Sequence, residues 1–145
     1  MVKKIVLSVL LGILVWNCSI APKEIAYGSD SCHYCRMTVV DQHHGSQLVT
    51  KTGKAFSFDS IECLINYLGE NPNIEEEGLL LVNTLDHPGK LIDATSASFL
   101  VSPNLPSPMG ANLTAFSNAT LAKEAKDNYD GTIYDWPSII TLINK

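Results

Sequence analysis

The sequence predicts an α+β fold made of two small, related strand-strand-helix-strand units that pack together. The chain has 145 residues, the length of one compact domain or of two very small ones. Short segments that alternate apolar and polar residues are separated by turn formers, which is typical of strands and hairpins. A strand, a phenylalanine, an Asx cap and a helix also follow one another twice, at Phe58 and at Phe116. Short α+β segments also resemble one another by chance, which is the alternative to an internal repeat. The repeat is therefore stated here as an expectation.

Residues 1–17 are predicted to be a lipoprotein signal peptide. Two lysines precede an apolar run from Ile5 to Trp16, and this run is too short to stay in a bilayer as a spanning helix. Cys18 follows almost directly, as at the processing site of bacterial lipoproteins. We therefore expect lipidation of Cys18, with the mature protein anchored to the cell membrane on its extracytoplasmic, periplasmic side.

Asn17 departs from the usual processing site, because the residue before the cysteine is commonly small. Cleavage of an ordinary signal peptide near Ala21 is therefore the alternative. The stretch that follows is polar and contains proline, as a flexible connection to a membrane anchor would. We assign residues 18–29 to this tether.

The charge balance of the mature chain is acidic. Removal of Lys3 and Lys4 leaves 8 of the 10 basic side chains against 15 acidic ones, so the formal charge falls from −5 to −7. With no basic patch left, binding of nucleic acid is excluded. A mildly acidic surface suits a protein that handles a cation or docks on a basic partner, without identifying either.

The first unit is assigned to residues 30–70. Its helix is predicted from apolar residues at helical spacing behind a capping-box-like start at 59–62, and Gly69 is expected to end it. The elements expected in order are a strand at 37–40, a turn at 41–45, a hairpin of strands at 47–51 and 55–58, and a helix with Ile61, Leu64, Ile65 and Leu68 on its buried face.

An acidic connector at 71–78 is the expected boundary, and the second unit is assigned to residues 79–145. Asn118 is expected to cap its first helix, and Pro137 to occupy the first turn of its last helix. The elements expected in order are a strand at 79–85, a turn at 87–89, strands at 91–94 and 98–102, a loop at 102–112, a strand at 113–116, a helix at 119–128, a strand at 131–136 and a final short helix.

The stretch CHYCRM at residues 32–37 is the first candidate site. A c-type haem needs a histidine directly after the second cysteine, and Arg36 stands there, so haem attachment is excluded. A thioredoxin-like dithiol opens a helix, whose N-terminus lowers the pKa of the first thiol. The β-branched residues after Cys35 favour a strand, so a redox role for Cys32 and Cys35 is the less favoured alternative.

A structural zinc site is a second alternative. Such a site usually has four ligands in two pairs, and Cys32 and Cys35 supply only one pair. His43, His44 and Cys63 could complete it. The two histidines are more simply exposed turn residues, and Cys63 lies on the apolar face of its helix, as a core residue would.

Soft-metal binding accounts for more of the sequence. Thiolate and thioether ligands select Cu(I), which accepts two or three of them. Cys35 and Met37 stand two apart on a segment expected to be extended, so their side chains point to the same side. Met109 lies between Pro108 and Gly110 in a loop too polar for a core, which makes it a candidate ligand.

A set of short motifs is spread over the whole mature chain. It comprises Asp30-x-Cys32-x-x-Cys35-x-Met37, Gly53 to Asp59, Cys63-Leu64, Pro108-Met109-Gly110, Ala115-Phe116 and Tyr134-x-Trp136. In this combination the sequence resembles the NosL family, lipoproteins associated with the assembly of nitrous oxide reductase. Arg36 departs from the pattern, because the family commonly has glycine there.

The resemblance implies a Cu(I) chaperone rather than an enzyme, with a NosL-like fold of two related α+β units. It also implies the partners, which are nitrous oxide reductase, through its copper–sulfide centre, and the ABC-type membrane machinery of its assembly. Cys35 and Met109 are the metal ligands expected first, with Met37, Cys32 and His33 as supplementary ones. A thiol-disulfide oxidoreductase that uses Cys32 and Cys35 is the alternative.

Overall fold

The computed structural model describes residues 20–74 and 78–145. The predicted signal peptide at 1–17 and the predicted lipidation site Cys18 lie outside the described residues. Within those residues the chain forms two antiparallel sheets and three α-helices, which confirms the predicted α+β class. The elements are β1 (Ser46–Thr50), β2 (Ala55–Phe58), α1 (Ile61–Glu70), β3 (Gly78–Thr84), β4 (His87–Asp93), β5 (Ser98–Val101), β6 (Leu113–Phe116), α2 (Ala119–Tyr129), β7 (Thr132–Tyr134) and α3 (Trp136–Ile143).

The first sheet has the strand order β2-β1-β3-β4. β1 and β2 form the predicted hairpin, and Gly53 in its turn has a φ of 80°, a conformation that favours glycine. β3 pairs with the other edge of β1 along its full length. Leu48 and Val49 in β1 are fully buried although successive side chains point to opposite faces, so both faces are covered at the centre of this sheet.

The predicted connector at 71–78 does not separate the two sheets. β3 and β4, which the sequence placed in the second unit at 79–145, complete the first sheet, and the chain changes sheet between β4 and β5. The physical reason lies in β1. With β2 on one edge, the backbone groups of its other edge still need partners, and β3 supplies them.

The turn between β3 and β4 connects the two sheets. It is formed by Leu85 and Asp86, and the turn predicted at 87–89 is wrong because strand pairing has already begun at His87. Leu85 donates its backbone N–H to β6, at 2.9 Å. The Oδ1 atom of Asp86 accepts a hydrogen bond from the backbone N–H of Ser117, at 2.9 Å, just before α2 begins.

The second sheet has the strand order β6-β5-β7. As predicted, Asn118 caps α2, and its side chain accepts a hydrogen bond from the backbone of Leu121 at 3.0 Å. Asp135 caps α3 in the same way, with Pro137 in the first turn. None of the helices within residues 20–74 and 78–145 is long and apolar enough to cross a bilayer.

The two sheets share one buried core. Leu48 and Phe58 contribute to it from the first sheet, and Phe99 from the second, with its ring 5.6 Å from that of Trp136 in α3. The sheets have four and three strands in different orders, so the internal repeat expected from the sequence is not confirmed.

Candidate metal centre

Residues 32–37 form a tight turn, here called the cysteine turn, instead of leading into the strand predicted at 37–40. Cys32 donates its backbone N–H to the carbonyl of Met37 at 2.7 Å, and Arg36 donates its own to the carbonyl of Cys32 at 3.1 Å. Pairing beyond the turn is limited to one isolated bridge, between Ser31 and Thr38. The predicted strand is therefore wrong, because Met37 closes the turn and the backbone of Val39 bonds to Asp30 and Gly28, which lie in a loop and not in a strand.

Arg36 has a φ of 68°, in the left-handed region that favours glycine. This conformation explains why glycine suits the position, as the resemblance implies. A side chain in the left-handed region costs roughly 1 kcal/mol, which the hydrogen bonds that close the turn offset here.

The turn is fixed against β2 and faces the start of α1. His33 donates its backbone N–H to the carbonyl of Ser57 at 2.9 Å. The cap of α1 is Ser60, one residue later than Asp59, and its hydroxyl accepts a hydrogen bond from the backbone of Cys63 at 3.1 Å. This cap fixes Cys63 in the first turn of the helix, at the end that meets the cysteine turn.

The cysteine turn and α1 bring three thiols together. The Sγ atoms of Cys32, Cys35 and Cys63 all lie within 4.8 Å of one another, and all three thiols are free. Cys32 and Cys63 are completely buried, whereas Cys35 is partly exposed. Within residues 20–74 and 78–145, no His, Asp or Glu side chain joins this group. The trithiol cluster is therefore open to solvent on the side of Cys35.

The electrostatics single out Cys32 as the most acidic thiol. A hydrogen bond from the Cys63 thiol is the main cause that lowers the pKa of Cys32, to about 4, and it outweighs the opposing effect of burial. Backbone N–H groups of Asp59, Cys35 and Tyr34 add to this effect. The N–H of Cys35 lies 3.4 Å from the Cys32 sulfur. Donors that point at a sulfur stabilise its thiolate form.

The other two thiols hold their protons more firmly. The bond to Cys32 and burial both raise the pKa of Cys63 well above its usual range. Burial is the main cause that raises the pKa of Cys35. The metal-free cluster therefore offers one thiolate and two thiols, and a metal ion that bound all three sulfurs would displace protons from the latter two.

Two carboxyl groups at the start of α1 are buried, those of Asp59 and Glu62, and Asp59 interacts with the cluster through Cys32. Burial is the main cause that raises the pKa of Asp59, and the neighbouring Cys32 sulfur raises it further. Each of the two carboxyl groups has one oxygen without a hydrogen-bond partner among the described residues. A cation bound at the cluster would offset the repulsion between the Asp59 carboxylate and the Cys32 thiolate.

The structure does not bring His33 into the trithiol cluster. Its ring packs against Phe56 and Tyr67, with centroid distances of 4.3 and 5.2 Å. Burial lowers the pKa of His33, and the nearby charge of Arg36 lowers it further. The side chain thus forms part of an aromatic group beside the cluster, and its role as a supplementary ligand stays a prediction.

The two candidate methionines are both exposed. Met37 is the last residue of the cysteine turn and is 58% exposed, and Met109 is 40% exposed. Met109 stands in a turn closed by the N–H of Gly110, which donates to the carbonyl of Ser107 at 3.1 Å. Neither sulfur is needed by the core, so both are free to bind a metal, and their role as ligands stays a prediction.

The histidine pair has a structural role. His44 is buried, contrary to the prediction that both histidines are exposed turn residues. Its Nδ1 lies 2.9 Å from the Asp41 carboxylate, and its Nε2 lies 3.1 Å from the Thr114 hydroxyl in β6. His43 contacts the same carboxylate at 3.1 Å. These bonds occupy both ring nitrogens of His44, which leaves this side chain no free ligand atom for the zinc alternative.

Cys63 was named from the sequence only for the zinc alternative and as a core residue, and was left out of the expected copper ligands. Its burial agrees with the prediction of a core residue, yet its sulfur completes the trithiol cluster. The available signal was its place in the first turn of a helix that begins directly after β2, whose Ser57 fixes the cysteine turn. That signal depends on knowing where the turn packs.

The fold and the cluster define the class of protein, a small α+β domain with a candidate three-thiol metal centre. The chain belongs to the NosL family, whose model matches residues 23–141. The crystal structure of the copper chaperone NosL from Shewanella denitrificans has a TM-score of 0.69 at 22% identity, over 82% of this chain and 95% of that one. At this identity the likeness shows the fold alone. The comparison with curated proteins found no match.

Proposed function

We propose that this chain is an extracytoplasmic Cu(I) chaperone, anchored to the membrane by a lipid on Cys18. The observation that carries the proposal is the convergence of the sulfur atoms of Cys32, Cys35 and Cys63. Membership of the NosL family and the likeness to a solved copper chaperone support it.

The donor set favours Cu(I) over Zn(II). Cu(I) is a soft ion that accepts two or three sulfur ligands, whereas structural zinc takes four ligands in a tetrahedron. The trithiol cluster supplies three sulfurs, and no histidine or carboxylate among the described residues supplies a fourth ligand. The expected ligands Met109 and Met37 would add only thioethers, which also prefer Cu(I).

The exposure of the cluster suits a carrier, which must release its cargo. Cys32 and Cys63 are buried and would bind the ion on the side facing the core. Cys35 is partly exposed, and a ligand of the receiving protein would replace it on the ion during transfer. No chemical conversion of a substrate is part of this role, so we propose that the protein is not an enzyme.

The destination of the copper follows from the family resemblance. We expect delivery to the assembly of the copper–sulfide centre of nitrous oxide reductase, together with the ABC-type membrane machinery that serves it. A lipid on Cys18 would hold the chaperone at the membrane surface where that machinery lies. The acidic surface of the mature chain is compatible with a basic docking partner.

The oxidoreductase alternative is less well supported by the geometry. The acidic thiol of a Cys-x-x-Cys oxidoreductase is accessible at the start of a helix. Here the acidic thiol, Cys32, is completely buried in a turn, and the partly exposed Cys35 has a raised pKa. The reactive thiolate is therefore the one that a substrate disulfide could not reach.

Titration of the reduced protein with Cu(I), against a chromophoric Cu(I) chelator, tests the proposal. We expect one Cu(I) per chain, no stable zinc complex after a chelator wash, and loss of binding in the variant Cys32→Ser/Cys35→Ser/Cys63→Ser. Equal retention of zinc would instead indicate a structural zinc site. Delivery is tested separately, by activation of copper-free nitrous oxide reductase with the loaded protein.

A further inference from the structure

We infer that Glu62 is a positioning residue for Met109, acting through Ser107. The inference rests on the proposed function, because it concerns how a thioether is presented to the proposed copper site. Glu62 precedes Cys63 in α1, and Ser107 precedes Pro108 and Met109 in the loop between β5 and β6. One hydrogen bond joins these two segments.

Glu62 is buried where an apolar residue would be easier to accommodate. Only 2% of its surface is exposed, and it lies in the first turn of α1. Its Oε1 accepts a hydrogen bond from the Ser107 hydroxyl, whereas its Oε2 has no partner among the described residues. Burial of an unpartnered carboxyl oxygen is costly, so stability alone does not explain this residue.

Ser107 uses its hydroxyl and its carbonyl to fix the loop. Its hydroxyl donates to Glu62 and accepts the backbone N–H of Leu113 at 3.2 Å, where β6 begins. Its carbonyl accepts the N–H of Gly110 at 3.1 Å and closes the turn that carries Met109. The Ser107 hydroxyl therefore links the turn that carries Met109 to both α1 and the second sheet by hydrogen bonds.

The turn itself is stiff, so a fixed Ser107 also fixes Met109. Pro106 and Pro108 restrict the backbone on either side of Ser107, and Gly110 adopts a φ of 81° after the methionine. The side chain of Met109 is 40% exposed, so burial alone does not fix its position. The bond between Glu62 and Ser107 is thus the contact that ties this turn to the helix of Cys63.

A double-mutant cycle tests this role. Glu62→Ala and Ser107→Ala should each weaken Cu(I) binding about threefold or more, and neither should weaken it further in a Met109→Leu background. Glu62→Gln keeps an oxygen acceptor for Ser107 and should retain affinity near the parent value. Glu124→Ala, on the exposed face of α2, is the matched control and should change nothing.

A second readout uses the metal-free protein. The methyl signal of Met109 in carbon-13 NMR should sharpen and move toward the free-chain position in Glu62→Ala and Ser107→Ala, and remain as in the parent in Glu62→Gln. Unchanged Cu(I) affinity in Ser107→Ala, or an equal further loss in the Met109→Leu background, would overturn the inference. If the parent bound no Cu(I), the proposed function would fail, while the methyl signal would still decide whether Glu62 positions the loop.

Discussion

The sulfur atoms of Cys32 and Cys63 lie within 4.8 Å of each other, one in an irregular turn and the other in the first turn of α1. The hydrogen bond between them lowers the pKa of Cys32 to about 4 and raises that of Cys63. Two cysteines that the sequence assigned to different roles therefore behave as one unit. The proposed function depends on this unit together with Cys35.

Cys63→Ser should weaken Cu(I) binding, because a hydroxyl replaces the third sulfur of the cluster. We expect a loss of tenfold or more, equivalent to about 1.4 kcal/mol. Competition with a chromophoric chelator measures it. The matched control is Ile65→Val in the same helix, which removes one buried methyl group, should cost about 1 kcal/mol of stability and should leave Cu(I) affinity unchanged. Equal Cu(I) affinities in Cys63→Ser and the parent would show that Cys63 is not a ligand and has a purely structural role.

Met109→Leu separates binding from folding. The two side chains have nearly equal volumes and the position is exposed, so the loss of stability should stay below about 1.5 kcal/mol. If Met109 is a ligand, Cu(I) binding should weaken by several fold, and by more than in Met37→Leu. Chemical denaturation and Cu(I) competition, run in parallel on both variants, check this. A Met109→Leu protein as tight as the parent would leave the metal to the cysteines alone.

Asp86 should make stability depend on pH in the acid range. Burial by itself would raise the pKa of Asp86, but hydrogen bonds from Ser117 and His87 outweigh it and lower the pKa below 3.8. The stabilisation is therefore present above the pKa of the unfolded chain, near 3.8, and is lost as pH falls through the lower value of the folded state. The free energy of unfolding should thus fall less between pH 5 and pH 2 in Asp86→Asn than in the parent. An identical pH dependence in both proteins would show that Asp86 contributes nothing.

A lipid anchor on Cys18 should increase the mass of the N-terminal peptide and move the protein into a detergent phase. Protein made in a bacterial host should enter the detergent phase and carry diacylglycerol on Cys18 as its N-terminal residue, with Cys18→Ser remaining in the aqueous phase. Mass spectrometry of the N-terminal peptide checks this. Recovery of the parent as a water-soluble protein that starts near Ala21 would favour the ordinary signal peptide.

Local signals predicted the elements that depend on local chemistry. The β1–β2 hairpin was predictable because Gly53 stands between two alternating segments, and α2 was predictable because Asn118 precedes a helical pattern. The strand predicted at 37–40 failed because the β-branched residues after Met37 lie beside a loop, to which the backbone of Val39 bonds, and not beside a strand that could pair with them.

Features that depend on contacts between distant segments were not predictable. The place of β3 in the first sheet follows from the open edge of β1, and the burial of His44 follows from its contact with Thr114. Cys63 joins Cys32 only because the backbone of His33 binds β2 directly ahead of α1. The candidate ligands could be named from sequence motifs, but the trithiol cluster required the tertiary structure.

X-ray absorption at the copper K-edge of the one-to-one Cu(I) complex identifies the atoms bound to the metal, and so decides whether the three thiols bind copper together. We expect the copper to be bound by sulfur atoms alone, with one sulfur fewer in Cys63→Ser. A first shell dominated by nitrogen or oxygen, or a shell that Cys63→Ser leaves unchanged, would contradict the claim that the three thiols bind copper together.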